Sequence, residues 1–247
     1  MDISAWKKRL VYCVEYEPII RKYGDGAEKI IFTSFEGSQK IIKKYPNNKV
    51  SSIEHFGSDG EYYREDGPAL LEYFESGKPE VVQFSKNIDR GQPTLEECLS
   101  PTNTKGASKI RYHISGTISR KEYRTTGSMP NVVGFYGSGQ ISGIEYNFLK
   151  REDVPSCWKY TKVTFYRSGA IMELAYIIDG KLCTPLSSDY QFPFSSYRIY
   201  YENGYLKFKS YHNEKGRYHR CNGPAAIDYY PNGTIITETF IEDGDIK

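Results

Sequence analysis

The sequence predicts an all-β protein, an elongated array of antiparallel β-hairpin repeats with an N-terminal cap, and three observations carry that prediction. The stretch EYYREDGPALLEYFESG, Glu61 to Gly77, returns without a gap as RYHRCNGPAAIDYYPNG, Arg217 to Gly233, with seven identical positions. A unit that recurs in register decides architecture ahead of local propensity. Counting from the glycine that closes the stretch, the residue three before it is aromatic at Phe74, Tyr136, Tyr166, Tyr201 and Tyr230, and the residue seven after it is aromatic at Phe84, Tyr123, Tyr146, Tyr176, Tyr211 and Phe240. Finally, the hydrophobic share is only 38% while 23 of 247 residues are tyrosine. Tyrosine suits a thin, half-wet sheet, where the ring packs and the hydroxyl finds a polar partner.

Along the chain, residues 1–24 do not follow the repeat and are expected to cap the array, with Trp6, Leu10 and Val11 among the covering groups. Residues 25–247 form the array, beginning with a degenerate hairpin over Ile30 to Tyr45 that turns near Glu36-Gly37. The turn positions are then Asn48, Gly77, Gly116, Gly139, Gly169, Gly204 and Gly233, spaced by 29, 39, 23, 30, 35 and 29 residues. Two insertions break the period. Residues 85–108 predict a short helix over Leu95–Cys98 with Thr94 as its N-cap, and residues 184–196 read as a loop rich in serine, proline and aromatic side chains. One hairpin alone is marginal in water, so neighbouring copies must pair to bury the aromatic rows.

The turns have a mechanism. Pro231-Asn232-Gly233, Glu202-Asn203-Gly204, Arg167-Ser168-Gly169 and Pro46-Asn47-Asn48 read as a type I turn followed by a residue with positive φ. Glycine adopts that conformation without steric penalty, and asparagine is the usual second choice. Asn232-Gly233-Thr234 is therefore a turn before it is a glycosylation acceptor. A branched or apolar residue follows two after the turn at Val50, Ile118, Ile141, Ile171, Leu206 and Ile235, with Pro79 as the exception. Positions two and seven after the turn have opposite parity, so either both faces of the sheet are covered or a bulge switches the phase. Further glycine turns follow at Gly60, Gly127, Gly180, Gly216 and Gly244.

The chemistry-bearing residues mostly fall on repeat positions. A net charge of +2, from 33 basic and 31 acidic residues, gives no electrostatic footprint for nucleic acid, and no such partner is expected. Five scattered cysteines without a CxxC pair fit a reducing, intracellular setting better than a disulfide framework or a zinc site. No stretch has the length of a signal peptide core or a membrane helix. His55 and His113 occupy aromatic slots of the repeat and read as packing substitutes. His212, His219 and Cys221 could be imagined around a metal, but the matching residues of the earlier copy are Phe56, Tyr63 and Glu65, which is ordinary repeat variation. Glu122 and Glu145 share one repeat position and read as a solvated row. Gly57-Ser58-Asp59-Gly60 and Gly137-Ser138-Gly139 precede no helix that would make a phosphate cradle. No catalytic residue, metal ligand or cofactor site is expected.

The unit GRYHRCNGPAAIDYYPNGTIITETFIEDGDI, with the words DGPA at Asp66 to Ala69 and NGPA at Asn222 to Ala225, resembles the MORN-variant repeats over residues 45 to 247. The copies at Gly116, Gly139 and Gly169 keep the turn but lose Gly-Pro-Ala. The resemblance implies an extended β-repeat scaffold without catalytic residues, of a kind found in giant DNA viruses and in bacterial antitoxin-like proteins. The expected function is a non-enzymatic scaffold for protein-protein interaction, structural or virion-associated in a large DNA virus, with capsid or other assembly proteins as partners, in the host cytoplasm or the virion. The alternatives are an immunity protein that binds a toxin and a peripheral membrane module using Lys7, Lys8 and Arg9. Candidate binding residues are the loop Tyr190, Phe192 and Phe194 and the row Tyr136, Tyr166, Tyr201 and Tyr230; the row has a competing reading as the ladder that holds the stack together.

Overall fold

In the computed structural model, described here for residues 17–86, 90–125, 129–148, 160–183 and 195–246, the chain is almost wholly β. Its strands are β1 (Ile19–Lys22), β2 (Glu28–Thr33), β3 (Gln39–Lys44), β4 (Val50–Phe56), β5 (Pro68–Tyr73), β6 (Pro79–Phe84), β7 (Ala107–Tyr112), β8 (Ile118–Tyr123), β9 (Val132–Phe135), β10 (Ile141–Glu145), β11 (Lys162–Phe165) and β12 (Ile171–Ala175). They continue as β13 (Ile177–Ile178), β14 (Lys181–Leu182), β15 (Tyr197–Tyr200), β16 (Leu206–Ser210), β17 (Ala226–Tyr229), β18 (Ile235–Thr239), β19 (Ile241–Glu242) and β20 (Asp245–Ile246). Sixteen of them are hydrogen-bonded in chain order, β1 to β12 and then β15 to β18, so the order has two ends. β13–β14 and β19–β20 are small separate hairpins. The chain divides into two compact units, Met1–Gly91 with Thr104–Lys121, and Gln92–Asn103 with Glu122–Lys247.

Each expected turn residue has the backbone its role requires: Asn48 at φ 66° and Gly77, Gly116, Gly139, Gly169, Gly204 and Gly233 between 86° and 95°. Four of the five second-turn glycines, Gly60, Gly180, Gly216 and Gly244, also have positive φ; Gly127 lies outside the described residues. At Gly204 a Cβ would meet nothing within 4 Å, so conformation alone selects glycine there. Gly204→Ala is expected to lower stability by about 1–2 kcal/mol and Gly204→Asn by less than half of that, read from urea unfolding midpoints. Asn232 is a turn residue, its Oδ1 accepting from the Thr234 amide at 3.0 Å and the Thr234 hydroxyl at 2.7 Å.

The parity problem is resolved by a bulge. In β15–β16, Ile199 faces Phe208 while Tyr200 faces Leu206, leaving Lys207 without an opposite residue. The same shift occurs in the hairpins closed by Asn48, Gly77, Gly139, Gly169 and Gly233. Two residues opposing one reverse the side-chain alternation, so the residues two and seven after the turn can serve one arrangement. Between consecutive hairpins the register is equally uniform: the residue four after one turn faces the residue five before the next in Ser52–Glu72, Val81–Arg111, Gly143–Thr164, Glu173–Ile199 and Phe208–Asp228.

The first boundary differs from expectation. Most of the cap, residues 1–16, lies outside the described residues, but Ile19–Lys22 is strand β1, paired with β2 through a turn at Tyr23 to Ala27 with Gly26 at φ 87°. The next turn, Ser34 to Ser38 with Gly37 at φ 86°, is the degenerate hairpin read from the sequence. β1, β2 and β3 pair without a bulge, so these copies lack the aromatic seven after the turn: the place is Thr33 after Gly26 and Lys44 after Gly37. In the first insertion, helix α1 (Leu95–Leu99) starts at Thr94, whose hydroxyl accepts from the Glu97 amide while the Glu97 carboxylate accepts from the Thr94 amide. That reciprocal cap fixes a five-residue helix that propensity alone would not hold.

Candidate interaction surface

The tyrosines three before each turn form a hydrogen-bonded spine. Tyr136 donates its hydroxyl to the Phe165 carbonyl at 2.5 Å, Tyr166 to Tyr200 at 2.8 Å and Tyr201 to Tyr229 at 2.9 Å. Tyr45 does the same to Tyr73 at 2.7 Å. In every case the acceptor is the residue just before the next hairpin's own aromatic. A half-buried ring with its hydroxyl held by the neighbouring hairpin is a link in the stack, and three of the four row residues offered for partner binding serve in this way. Tyr230, the fourth, is 51% exposed.

The row seven after the turn is the core. His55, Tyr123, Tyr176 and Tyr211 are buried, and Tyr146 packs with Tyr176 against Phe148, Ile178 and Cys183. From this row the backbone crosses to the next hairpin: Tyr123, Tyr146, Tyr176 and Tyr211 each donate an amide to the carbonyl eight before the following turn.

The Gly-Pro-Ala word is explained beside it. Ala69 and Ala225 are fully buried. Arg64 lies against Gly67 and Arg220 against Gly223, each with its guanidinium carbon 3.4 Å from where a Cβ would stand. The same arginines reach the core row: Arg220 sits over the Tyr211 ring at 4.1 Å, and Arg64 Nη1 is 3.5 Å from His55 Nε2. Each arginine thus lies beside its glycine and reaches a core ring.

His55 has the packing role expected of it. His55 is 4% exposed, and burial first, then the Arg64 charge, moves it from the usual imidazole range to about 4. His212 is buried against Tyr218 with Nδ1 2.8 Å from the Ser196 hydroxyl, and burial lowers its pKa also. His212–Tyr218 repeats the stacked pair Phe56–Tyr62 of the earlier copy, where both are isolated bridges. Since both imidazoles are held neutral, the unfolded chain takes up protons first as pH falls. Stability is therefore complete above the ordinary imidazole pKa, falls as pH drops below it, and stops falling on account of His55 below about 4. The expected loss from His55 is roughly 2 kcal/mol. Urea unfolding at pH 7.5 and 4.5 checks it, with His55→Tyr showing a smaller difference than the parent chain.

His219, Cys221 and Asp243 form a cluster the sequence only half indicated. Cys221 Sγ is 3.4 Å from His219 Nε2, and His219 Nδ1 is 3.2 Å from the Asp243 carboxylate. The Asp243 amide also lies 3.1 Å from Nδ1. The group works as a clasp: it joins the connection before β17 to the β19–β20 turn, beside bonds from Gly244 to Tyr218 and from Arg220 to Ile241. Among the described residues no group of three or more His, Cys, Asp and Glu side chains is arranged to hold a metal.

Large apolar residues stand exposed at several places, among them Ile19, Ile20, Tyr23 and Phe35 on the first strands and turns and a group on and near the last hairpin. Ile235, Ile236, Phe240, Tyr205 and Ile246 join Tyr230 as exposed large apolar residues. Phe240 is 45% exposed where its equivalents Tyr176 and Tyr211 are 3% and 7%. The Phe-rich loop with Tyr190, Phe192 and Phe194, and the basic Lys7, Lys8 and Arg9, lie outside the described residues. Lys43 and Lys44 are paired with Glu54 at 2.6 Å and Glu28 at 3.3 Å. No helix among the described residues is long and apolar enough to cross a membrane. No protein-family model matches the chain, and no curated protein matches it either.

Proposed function

We infer that the protein is a non-enzymatic β-hairpin scaffold that works by associating with other proteins, through the surface around its last hairpin. The observation that carries this reading is the contrast at equivalent positions: Phe240 is exposed where Tyr176 and Tyr211 are buried, and Tyr230 is exposed where Tyr136, Tyr166 and Tyr201 are half-buried, with Ile235 and Ile236 exposed between them. An open apolar patch of this kind, next to an unpaired strand, is what protein partners cover. The reactive-looking residues support the same reading, because the tyrosine hydroxyls, His55, His212 and the His219 cluster are each engaged in holding hairpins together.

The resemblance to MORN-variant repeats adds the class of partner: capsid or other assembly proteins of a large DNA virus. The test is affinity capture of the tagged full chain from its native source, with quantitative mass spectrometry, beside an Ile236→Glu, Phe240→Glu variant. Assembly proteins recovered in near-stoichiometric amount by the parent chain and lost with the variant would support the reading. Recovery of a single small toxic enzyme, or of no protein at all, would overturn it.

A further inference from the structure

The sheet order has two ends, β1 and β18, and the chain's own register rule applies across them. We propose that β18 of one copy pairs with β1 of a second copy, continuing the sheet head to tail in the register that joins consecutive hairpins within the chain. This rests on the scaffold reading and names one occupant for its surface.

The rule is specific. With four after one turn facing five before the next, Thr237 of one copy faces Arg21 of the other, Glu238 faces Ile20 and Thr239 faces Ile19. Both strands are of the right kind for the junction. Within the chain the strand that follows a turn always meets a strand that precedes one, as β4 meets β5, β12 meets β15 and β16 meets β17. β18 follows the turn at Gly233 and β1 precedes the turn at Gly26.

The bonds that tie hairpins together have their donors ready on β18 and its turn, and their acceptors on β1 and its turn. Tyr201 donates to the Tyr229 carbonyl, so Tyr230 would donate to the carbonyl of Lys22, the residue before Tyr23. Asn203 Nδ2 donates to the Pro231 carbonyl at 3.2 Å, so Asn232 would donate to Gly24. Tyr211 donates its amide to Ala225 at 2.9 Å, so Phe240 would donate to the Pro18 carbonyl, an acceptor that proline keeps.

Among the described residues, nothing pairs with the outer edge of either strand. The Thr239 carbonyl accepts from Ala225 and the Tyr23 amide donates to Ala27, so Thr239 and Tyr23 turn toward their own hairpins. By alternation Glu238 and Ile20 present their backbone groups outward. Ile19, Ile20 and Tyr23 are exposed on β1 and its turn, as Ile235, Ile236 and Tyr230 are on β18 and its turn. Charge agrees at the facing pair: Arg21 would join the row in which Thr237 donates to Asp228 at 2.8 Å. Such a contact joins unlike surfaces, so it repeats from copy to copy instead of stopping at a symmetric pair.

The experiment is size exclusion with light scattering on the full chain across a concentration series. The parent chain is expected to exceed its 28.4 kDa monomer mass and to grow with concentration. Glu238→Pro and Ile20→Pro each remove an outward donor from one edge only, and each alone is expected at monomer mass. Mixed one to one, they retain one good edge apiece and should form a pair that grows no further. A parent chain that stays monomeric at every concentration, a Glu238→Pro chain that assembles as well as the parent, or a mixture that never pairs would overturn the proposal.

Should either proline variant lose its far-UV β signal, the decision passes to a disulfide. Thr237→Cys and Arg21→Cys chains, both carrying Cys13→Ser, Cys157→Ser and Cys221→Ser, should cross-link on mixing and oxidation, while Thr237→Cys with Ile20→Cys in the same background should not. Equal cross-linking by both pairs, or none, would overturn the register. The two functional readings part cleanly. A monomeric chain that still captures assembly proteins sinks this inference alone, and a self-assembling chain that captures nothing else sinks the reading of partners while this one stands.

Discussion

Replacing Ala225 by leucine is expected to destabilise the chain by roughly 1–3 kcal/mol, the usual range for overfilling a packed site, and Ala69→Leu should do the same. Both alanines are fully buried. Ala225 sits where two hairpins meet: its amide donates to Thr239 at 2.8 Å within its own hairpin, and its carbonyl accepts from Tyr211 at 2.9 Å in the preceding one. A larger side chain there must displace one of two backbone bonds or the ring beneath Arg220. Thermal or urea unfolding measures the effect, and Ala225→Gly serves as the control in which lost volume, not excess, is the perturbation. A leucine variant as stable as the parent would mean that the junction is loose and that Gly-Pro-Ala recurs for another reason.

The second large effect belongs to the tyrosine spine. Tyr136→Phe, Tyr166→Phe and Tyr201→Phe each remove one hydroxyl and leave a carbonyl of the next hairpin without its donor. Each is expected to lower stability by about 1 kcal/mol, and the three together by about 3 kcal/mol if they act independently. Tyr230→Phe is the internal comparison. Its ring stands exposed on the outermost hairpin, so the same change should leave the isolated chain's stability within about 0.5 kcal/mol of the parent. Urea unfolding of the four single variants and the triple variant separates a spine from a row of independent surface tyrosines.

Much of this architecture was legible because the repeat writes its geometry into residue types. Asparagine stands for glycine at position 48 because both accept positive φ, and the Thr94, Glu97 pair announces a helix start whatever surrounds it. The bulge was implied as one of two solutions to a parity conflict, and only the pairing of Tyr200 with Leu206 chose between them. The first hairpin was missed because its strands pair without a bulge: with Thr33 in place of the aromatic, the pattern that identifies the other copies is absent although Tyr23 and Gly26 keep their spacing.

For the site, the sequence named the tyrosine row but not its use. A hydroxyl's acceptor is a backbone carbonyl about thirty residues on, and carbonyls carry no residue type to read. His219 and Cys221 drew attention by type, yet Asp243, whose amide and carboxylate both meet the ring, comes from the next turn and had no signal of its own. The open patch at the last hairpin was also invisible in advance, since Phe240 is indistinguishable by position from the buried Tyr211 until the neighbour that would cover it is sought.

The account stands on one register repeated at five hairpin junctions, and interstrand NMR contacts measure it most directly. The residue four after a turn and the residue five before the next form a pair that exchanges no backbone bonds, in which facing Hα protons lie close together. Hα–Hα contacts are predicted for Ser52 with Glu72, Val81 with Arg111, Gly143 with Thr164, Glu173 with Ile199 and Phe208 with Asp228. Contacts displaced by even one residue at these junctions would turn the tyrosine hydroxyls away from their carbonyls and contradict the account.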